Sequence, residues 1–414
     1  MRIVRAILLL GGLLWPAFLH SAIPLSEYHQ RREKLRKDLN GSVVLFGQRE
    51  DRELIGRFRQ ESNFYYLTGW TEPGARLLIT HDDEILFLPH HDERVERYTG
   101  RRTSAEDSDS KEKTGFQNVL PVEKFESQLL KALDSGPEVY ALLHSRDEDA
   151  LKSLLAFREL RDGEGKIGPL RRIKSKAEIA ELQRAADVSM AAHRAAWNRL
   201  TPGAHEYDAQ AAFTEVMLDR GCEDYAYPPI IGSGPNGTVL HYEANRRRMD
   251  RGEVVVIDAA AECDYYASDI TRTIPVGGKY SAREREIYEI VLGAQKAAIA
   301  AIKPGAMYYG ETGTISQIAK DYINSHGKDQ HGEPLGKYFT HGLGHFVGID
   351  VHDAGGVPLK LEEGMVLTVE PGIYIPEENI GVRIEDVVLV THDGARVMTA
   401  ALPKEPTEVE KALQ

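Results

Sequence analysis

Residues 254–274 read VVVIDAAAECDYYASDITRTI. Two β-rich runs, each with one aspartate, flank a short polar link, which predicts an antiparallel hairpin whose Asp258 and Asp269 can face one side of a sheet. A lone strand aspartate is usually a turn or cap residue. Here both acids stand where a strand should be apolar, and a carboxylate there is desolvated unless a cation meets it. The pattern recurs further on: Gly252-Glu-Val-Val-Val-Ile-Asp258 matches Gly364-Met-Val-Leu-Thr-Val-Glu370, a turn glycine followed by an apolar run that ends in an acid. Leu200-Thr-Pro-Gly-Ala204 returns as Ile302-Lys-Pro-Gly-Ala306, each after an Ala-rich helical stretch, and His241 has a counterpart in His341. The interval of about 100 residues exceeds any solenoid period, so this part of the chain reads as two related halves.

The second half adds Glu385, in Gly381-Val-Arg-Ile-Glu385-Asp, and histidines 341, 345 and 352 among glycines. Hard divalent ions take oxygen ligands and imidazole suits Zn, Co, Fe or Mn, so four carboxylates with one histidine point to a catalytic metal pair. The two cysteines cannot build a thiolate-rich site. Carboxylates that bridge two ions hold them ~3.5–4 Å apart, a spacing at which a shared hydroxide attacks an acyl carbon. Metal-assisted hydrolysis is the expected chemistry.

The rest of the chain sets the frame. At 414 residues two domains are expected. Lys and Arg number 51 against 64 Asp and Glu, and the net charge of −13 argues against a grip on nucleic acid or an anionic membrane. Arg2 and Arg5 precede an apolar run from Ala6 to Leu19, too short to span a bilayer, with small residues Ser21 and Ala22 after it. Residues 1–22 therefore read as a signal peptide, which implies export to the periplasm or the medium and no stable membrane span after cleavage. Cys222 and Cys263 can pair or stay free. Residues 25–165 mix strand-like runs (42–46, 76–80, 84–89, 139–143) with helices, as in a compact α/β domain. RRTSAEDSDSKEKT, residues 101–114, cannot bury an apolar face and reads as a mobile loop. Ser175 with Glu178 forms a capping box that opens a long helix to about Leu200, and the domain boundary is expected near 165–172.

The IDA, DITRT, HGLGH, TVEPG and RIED segments together resemble the pita-bread metallopeptidases, the superfamily of methionine aminopeptidase, prolidase and aminopeptidase P. The resemblance covers roughly residues 173 to 400. It implies an α+β catalytic domain, 173–405, of two pseudo-symmetric halves around a curved, mainly antiparallel sheet. It also implies two divalent metal ions, manganese foremost, with cobalt or zinc as alternatives. In this carry-over Asp258 binds one metal, Asp269 and Glu385 bridge both, and His345 with Glu370 completes the second. Glu370 further moves a proton between the bridging water and the leaving nitrogen. His352 polarises the scissile carbonyl or steadies the tetrahedral intermediate. His241, counted among the catalytic groups, lines the substrate cleft with His341, Tyr227 and Arg383. Arg383 reads equally as an ion-pair partner of a ligand carboxylate, and Tyr227 as packing on Pro228 and Pro229.

Two further segments, Tyr28 to Leu35 and Arg59 to Pro73, resemble the start of the aminopeptidase P N-terminal domain, although Asn63 stands where that family carries an acid. The implied activity is removal of the N-terminal residue from peptides with proline second. A prolidase acting on Xaa-Pro dipeptides is the nearest alternative, and a catalytically inactive binding module a more distant one. Homo-oligomers are common in the family, and no interface is legible in the sequence.

Overall fold

The computed structural model describes residues 23–414 apart from 38, 51–56, 134–137, 144–147, 156–157 and 358–359. The stretch read as a signal peptide lies outside the described residues. The N-terminal part is built on a six-stranded sheet of β1 (Gly41–Phe46), β2 (Arg76–Ile79), β3 (Glu84–Leu88), β4 (Asn118–Pro121), β5 (Glu138–Ala141) and β6 (Leu160–Asp162), in the order β4-β3-β2-β1-β5-β6. β1, β2 and β3 pair antiparallel, while the outer pairings β3 with β4, β1 with β5 and β5 with β6 are parallel. Strand alternation sends Val44, Leu78 and Phe87 to one face, against Phe125, Leu129 and Leu151. Val43, Leu45, Leu77 and Leu86 go to the other, against Tyr28, Leu35 and Phe64. That second core continues into Tyr265, Tyr266, Val347, Ile349 and Val387, so the sheet and the C-terminal part share one buried surface.

The C-terminal part is antiparallel in every strand pairing among the described residues. Val254–Asp258 lies between Ile230–Ser233 and Thr271–Pro275, with Asp258 opposite Thr271. In the related half Val366–Val369 pairs with Asp386–Val390, and Gly372–Ile375 with Ile380–Arg383. The helices Lys176–Trp197 and Ala282–Ala300 both start at a complete capping box, Ser175 with Glu178 and Ser281 with Glu284. Among the described residues, no helix is long and apolar enough to cross a membrane.

Two sequence expectations change. The link in the 254–274 hairpin is itself folded: Ala261–Cys263 pairs with Tyr266–Ala267 and with Asp224–Tyr225, and Asp264 and Tyr265 make the tight turn at positive φ. Residues 101–114 are not a loop throughout. Ser110–Thr114 is helical, and Ser104, Ser110 and Thr114 are buried. Two of the hydroxyl side chains are served within the segment, since Thr114 Oγ1 donates to the Ser110 carbonyl and Ser104 Oγ accepts from the Glu106 amide, so no apolar stripe is needed. Residues 165–172, where the domain boundary is expected, lie in the helix Glu164–Arg172. Cys222 and Cys263, which the sequence left open, form a disulfide.

Candidate metal centre and active site

Strand periodicity aims the acids. Asp258 ends the Val254–Asp258 strand and Asp269 lies two residues before the one that begins at Thr271. Glu370 and Glu385 occupy the corresponding ends in the other half, and the Glu385 amide donates to the Thr271 carbonyl (3.0 Å), joining the halves at the site. His345 arrives from a loop held on the Glu370 strand: its amide donates to Thr368 Oγ1 and its carbonyl accepts from the Thr368 amide. Gly344 permits that approach, because a Cβ there would fall 2.2 Å from the Thr368 carbonyl oxygen.

All ten residues singled out in the sequence line one cavity of about 470 Å³: Tyr227, His241, Asp258, Asp269, His341, His345, His352, Glu370, Arg383 and Glu385. Asp269, His345 and Glu385 each bring a donor atom within 4.8 Å of the other two. His345 Nδ1–H donates to the Phe346 carbonyl (3.0 Å), which leaves Nε2 free to ligate, 3.3 Å from Asp269 Oδ2 and 3.5 Å from Glu370 Oε1.

The electrostatics show what this donor set lacks. Burial, then the neighbouring Asp269, push Glu385 well above the usual carboxylate range, and burial lifts Glu370 to about 7 despite His345. Burial also raises Asp258, against the pull of Arg383. Burial would lower His345, but Asp269 and Glu370 outweigh it and raise the imidazole to about 9, so a proton sits between carboxylates where a cation would. Arg383 is the only guanidinium among the residues lining the cavity. Four converging carboxylates with one free imidazole nitrogen fit divalent cations, whose charge inverts each of these shifts.

Arg383 is fully engaged: Nη2 donates to Asp258 Oδ2 (2.7 Å), Nη1 to Tyr374 Oη (2.7 Å) and Nε to Thr271 Oγ1 (3.1 Å). It lines the cavity chiefly as the partner of the Asp258 carboxylate. Tyr227 packs beside Pro228 on the cavity wall, and its hydroxyl donates to Asp258 Oδ1 (2.6 Å). His341 Nδ1–H donates to the Gly342 carbonyl, so its Nε2 accepts from Tyr374 O–H (2.8 Å), which ties it through Tyr374 to Arg383. Burial and Arg383 lower His341 to about 4, keeping it neutral. His352 stands edge-on to His345 with ring centroids 4.1 Å apart, and burial and His345 lower it too. His241 is exposed at the rim.

Three supporting side chains escaped the sequence reading. Thr271 donates its hydroxyl to Glu385 Oε2 (2.7 Å), Thr368 donates to Glu370 Oε1 (3.2 Å), and Tyr374 links His341 to Arg383. For two of them the signal was available, because Thr271 and Thr368 each lie two residues from a carboxylate and so share its strand face.

A family model described as metallopeptidase family M24 matches residues 180–392, and this span contains all ten cavity residues. The chain belongs to that family. Like the M24 enzymes, it is a metallopeptidase. A second model, the aminopeptidase P N-terminal domain, matches residues 28–140. The chain is 34% identical to the Xaa-Pro aminopeptidase of Escherichia coli, with 94% of this chain and 98% of that protein covered. It is equally 34% identical to the Xaa-Pro dipeptidase of Pyrococcus furiosus, over 89% of this chain and 97% of the relative. Among solved structures, E. coli aminopeptidase P with the inhibitor Pro-Leu superposes with a TM-score of 0.84 at 31% identity, covering 94% of this chain and 98% of that one. Pseudomonas aeruginosa aminopeptidase PepP gives 0.85 at 30% identity, over the same shares of the two chains.

Proposed function

We propose that this M24 metallopeptidase is an exported Xaa-Pro aminopeptidase that uses two divalent cations, manganese foremost, to release the N-terminal residue of peptides with proline second. The observation that carries the reading is the convergence of Asp258, Asp269, His345, Glu370 and Glu385 in one cavity, joined to an N-terminal domain of aminopeptidase P type. Bound divalent cations supply Lewis acidity and a nucleophile from water at neutral pH. The chain does the rest. Tyr227 and Arg383 hold Asp258 by both carboxylate oxygens, and Thr271 and Thr368 orient Glu385 and Glu370. Glu370 takes a proton from the attacking water and passes it to the leaving proline nitrogen. His352 stabilises the oxygen of the scissile carbonyl as charge builds on it. His241 and His341 line the cleft, and a neutral His341 keeps that wall free of added charge.

The deciding experiment uses the metal-stripped, manganese-reloaded mature chain and compares a Gly-Pro dipeptide with an Arg-Pro-Pro tripeptide by released amino acid. Metal-dependent preference for the tripeptide is expected. Preference for the dipeptide moves the assignment to prolidase, and no cleavage of either with metal bound makes the chain a binding module.

Export is supported by the charge and apolar pattern of residues 1–22 and by the Cys222–Cys263 pairing, which persists in oxidising compartments. N-terminal sequencing of protein made in an exporting bacterium should begin near Ile23; an intact Met1 refutes export.

A further inference from the structure

The helices Lys176–Trp197 and Ala282–Ala300 pack on strands of the two related halves, and at the same repeat position each carries a completely buried polar side chain. His193 lies seven residues before Leu200 of the first Pro-Gly-Ala motif, and Gln295 lies seven before Ile302 of the second. Their bonding is also similar, although it falls on opposite sides of the acids. His193 Nε2 lies 2.9 Å from the Ala259 carbonyl oxygen and 3.2 Å from that of Ile270, the residues directly after Asp258 and Asp269. Gln295 Nε2 lies 3.1 Å from the carbonyl oxygens of both Val369 and Ile384, the residues directly before Glu370 and Glu385. In each half, one nitrogen spans the two backbone segments that carry that half's pair of carboxylates.

The chemistry is well defined. Carbonyl oxygens only accept, so His193 carries its proton on Nε2 and is neutral, with Nδ1 buried and unpartnered. A single N–H is then shared between two carbonyls, whereas the Gln295 amide has one hydrogen for each. Gln295 is anchored in turn, because Lys404 Nζ donates to its Oε1 (2.9 Å). A buried histidine on an Ala-rich helix with no cavity contact has no need of a polar ring for packing alone, and an unpartnered Nδ1 costs stability.

We propose that His193 and Gln295 are equivalent positioning residues, each clamping two strands so that the metal-binding carboxylates of its half are held at a fixed separation. Neither touches substrate; they act through the backbone beside the ligands, the kind of outlying support that sets metal affinity.

The inference rests on the metal site proposed above, and direct binding of Mn²⁺ by the full mature chain separates the two ideas. His193→Leu removes the donor while keeping bulk, and Gln295→Met does the same in the other half. Each should weaken Mn²⁺ binding about 10- to 100-fold, with the metal-free melting temperature recorded alongside. His193→Gln, which installs the side chain the other half uses, should bind within about threefold of wild type, a rescue that loss of packing alone does not give. The proposal is overturned if the Leu and Met variants bind Mn²⁺ as tightly as wild type, or if His193→Gln binds as weakly as His193→Leu. Should His193→Leu fail to fold, Gln295→Met and the closeness of His193→Gln to wild type decide it. A wild-type chain that binds no Mn²⁺ overturns the metal reading itself, and the clamp falls with it.

Discussion

Glu385 and Asp386 are consecutive residues, both buried, and they have opposite fates. Glu385 turns into the cavity toward Asp269, Glu370 and Asp258, and is pushed well above the carboxylate range, by burial first and those acids next. Asp386 turns the other way, as strand alternation requires, and meets Arg272 Nη2 (2.7 Å), Thr399 Oγ1 (2.7 Å) and Lys404 Nζ (2.6 Å). Burial alone would raise Asp386, but Arg272 and Lys404 outweigh it and hold it at about 2. Burial is thus common to both, and the supply of positive charge is what differs. An acid that the chain's own cations hold below its ordinary value is architecture, whereas Asp258 stays raised despite Arg383. An acid buried among other acids waits for a cation from outside, and that distinction separates the site from its scaffold.

The largest effect should come from the cavity side. Glu385→Ala removes an acid that the metal-free fold does not need, so turnover should fall at least about 10³-fold, roughly 4 kcal/mol of transition-state stabilisation, while metal-free stability holds or rises. Retained turnover would remove Glu385 from the ligands. Asp386→Ala, one residue on, should do the reverse at comparable size: an uncompensated Arg272 in the core costs roughly 3–5 kcal/mol in denaturant unfolding. If the two variants lose metal-free stability equally, the contrast fails. His352→Ala comes next. Loss of one group that stabilises the reacting oxygen should lower kcat by about 10²–10³ with metal still bound. Loss of metal instead would make His352 a ligand.

How far the sequence could be read follows from the same physics. Asp258 and Glu370 were visible because each ends a β-rich run at matched points of a duplication, a pattern with no packing rationale, and Asp269 and Glu385 because each stands at a further β-rich run. The paired acids were not. Asp386 looks like a neighbour of Glu385 until Arg272 and Lys404, from distant segments, are seen to converge on it. His193 and Gln295 were hidden because one polar residue on an Ala-rich helix looks like part of a solvated face. Residues 101–114 misled for a related reason, since their buried positions are filled by hydroxyl side chains, of which Ser104 and Thr114 bond within the segment. Periodicity reports apolar burial and says nothing about polar burial that is internally paired.

The smallest expected effect tests that pairing where the two domains meet. Asp353, directly after His352, accepts from Lys174 Nζ (2.9 Å) and Arg171 Nη2 (2.5 Å), and Arg171 Nη1 also donates to Asn63 Oδ1 (2.8 Å) of the N-terminal domain. Burial would raise the Asp353 carboxyl, but Lys174 and Arg171 outweigh it and hold it below its ordinary value. A carboxyl whose folded pKa is depressed adds stability that is complete above its unfolded pKa of about 4 and is lost as pH falls further toward the folded value. Urea unfolding of the wild-type chain and of Asp353→Asn at pH 7, 4 and 3 isolates this group: the stability difference between them should change little down to about pH 4 and shrink below it. Asp353→Asn, already neutral, should start less stable and decline less steeply. An identical acid slope in the variant would mean that Asp353 draws no net support from Lys174 and Arg171. It would then stand closer to the cavity acids than to Asp386, and the division between paired and unpaired burial would fail one residue away from His352.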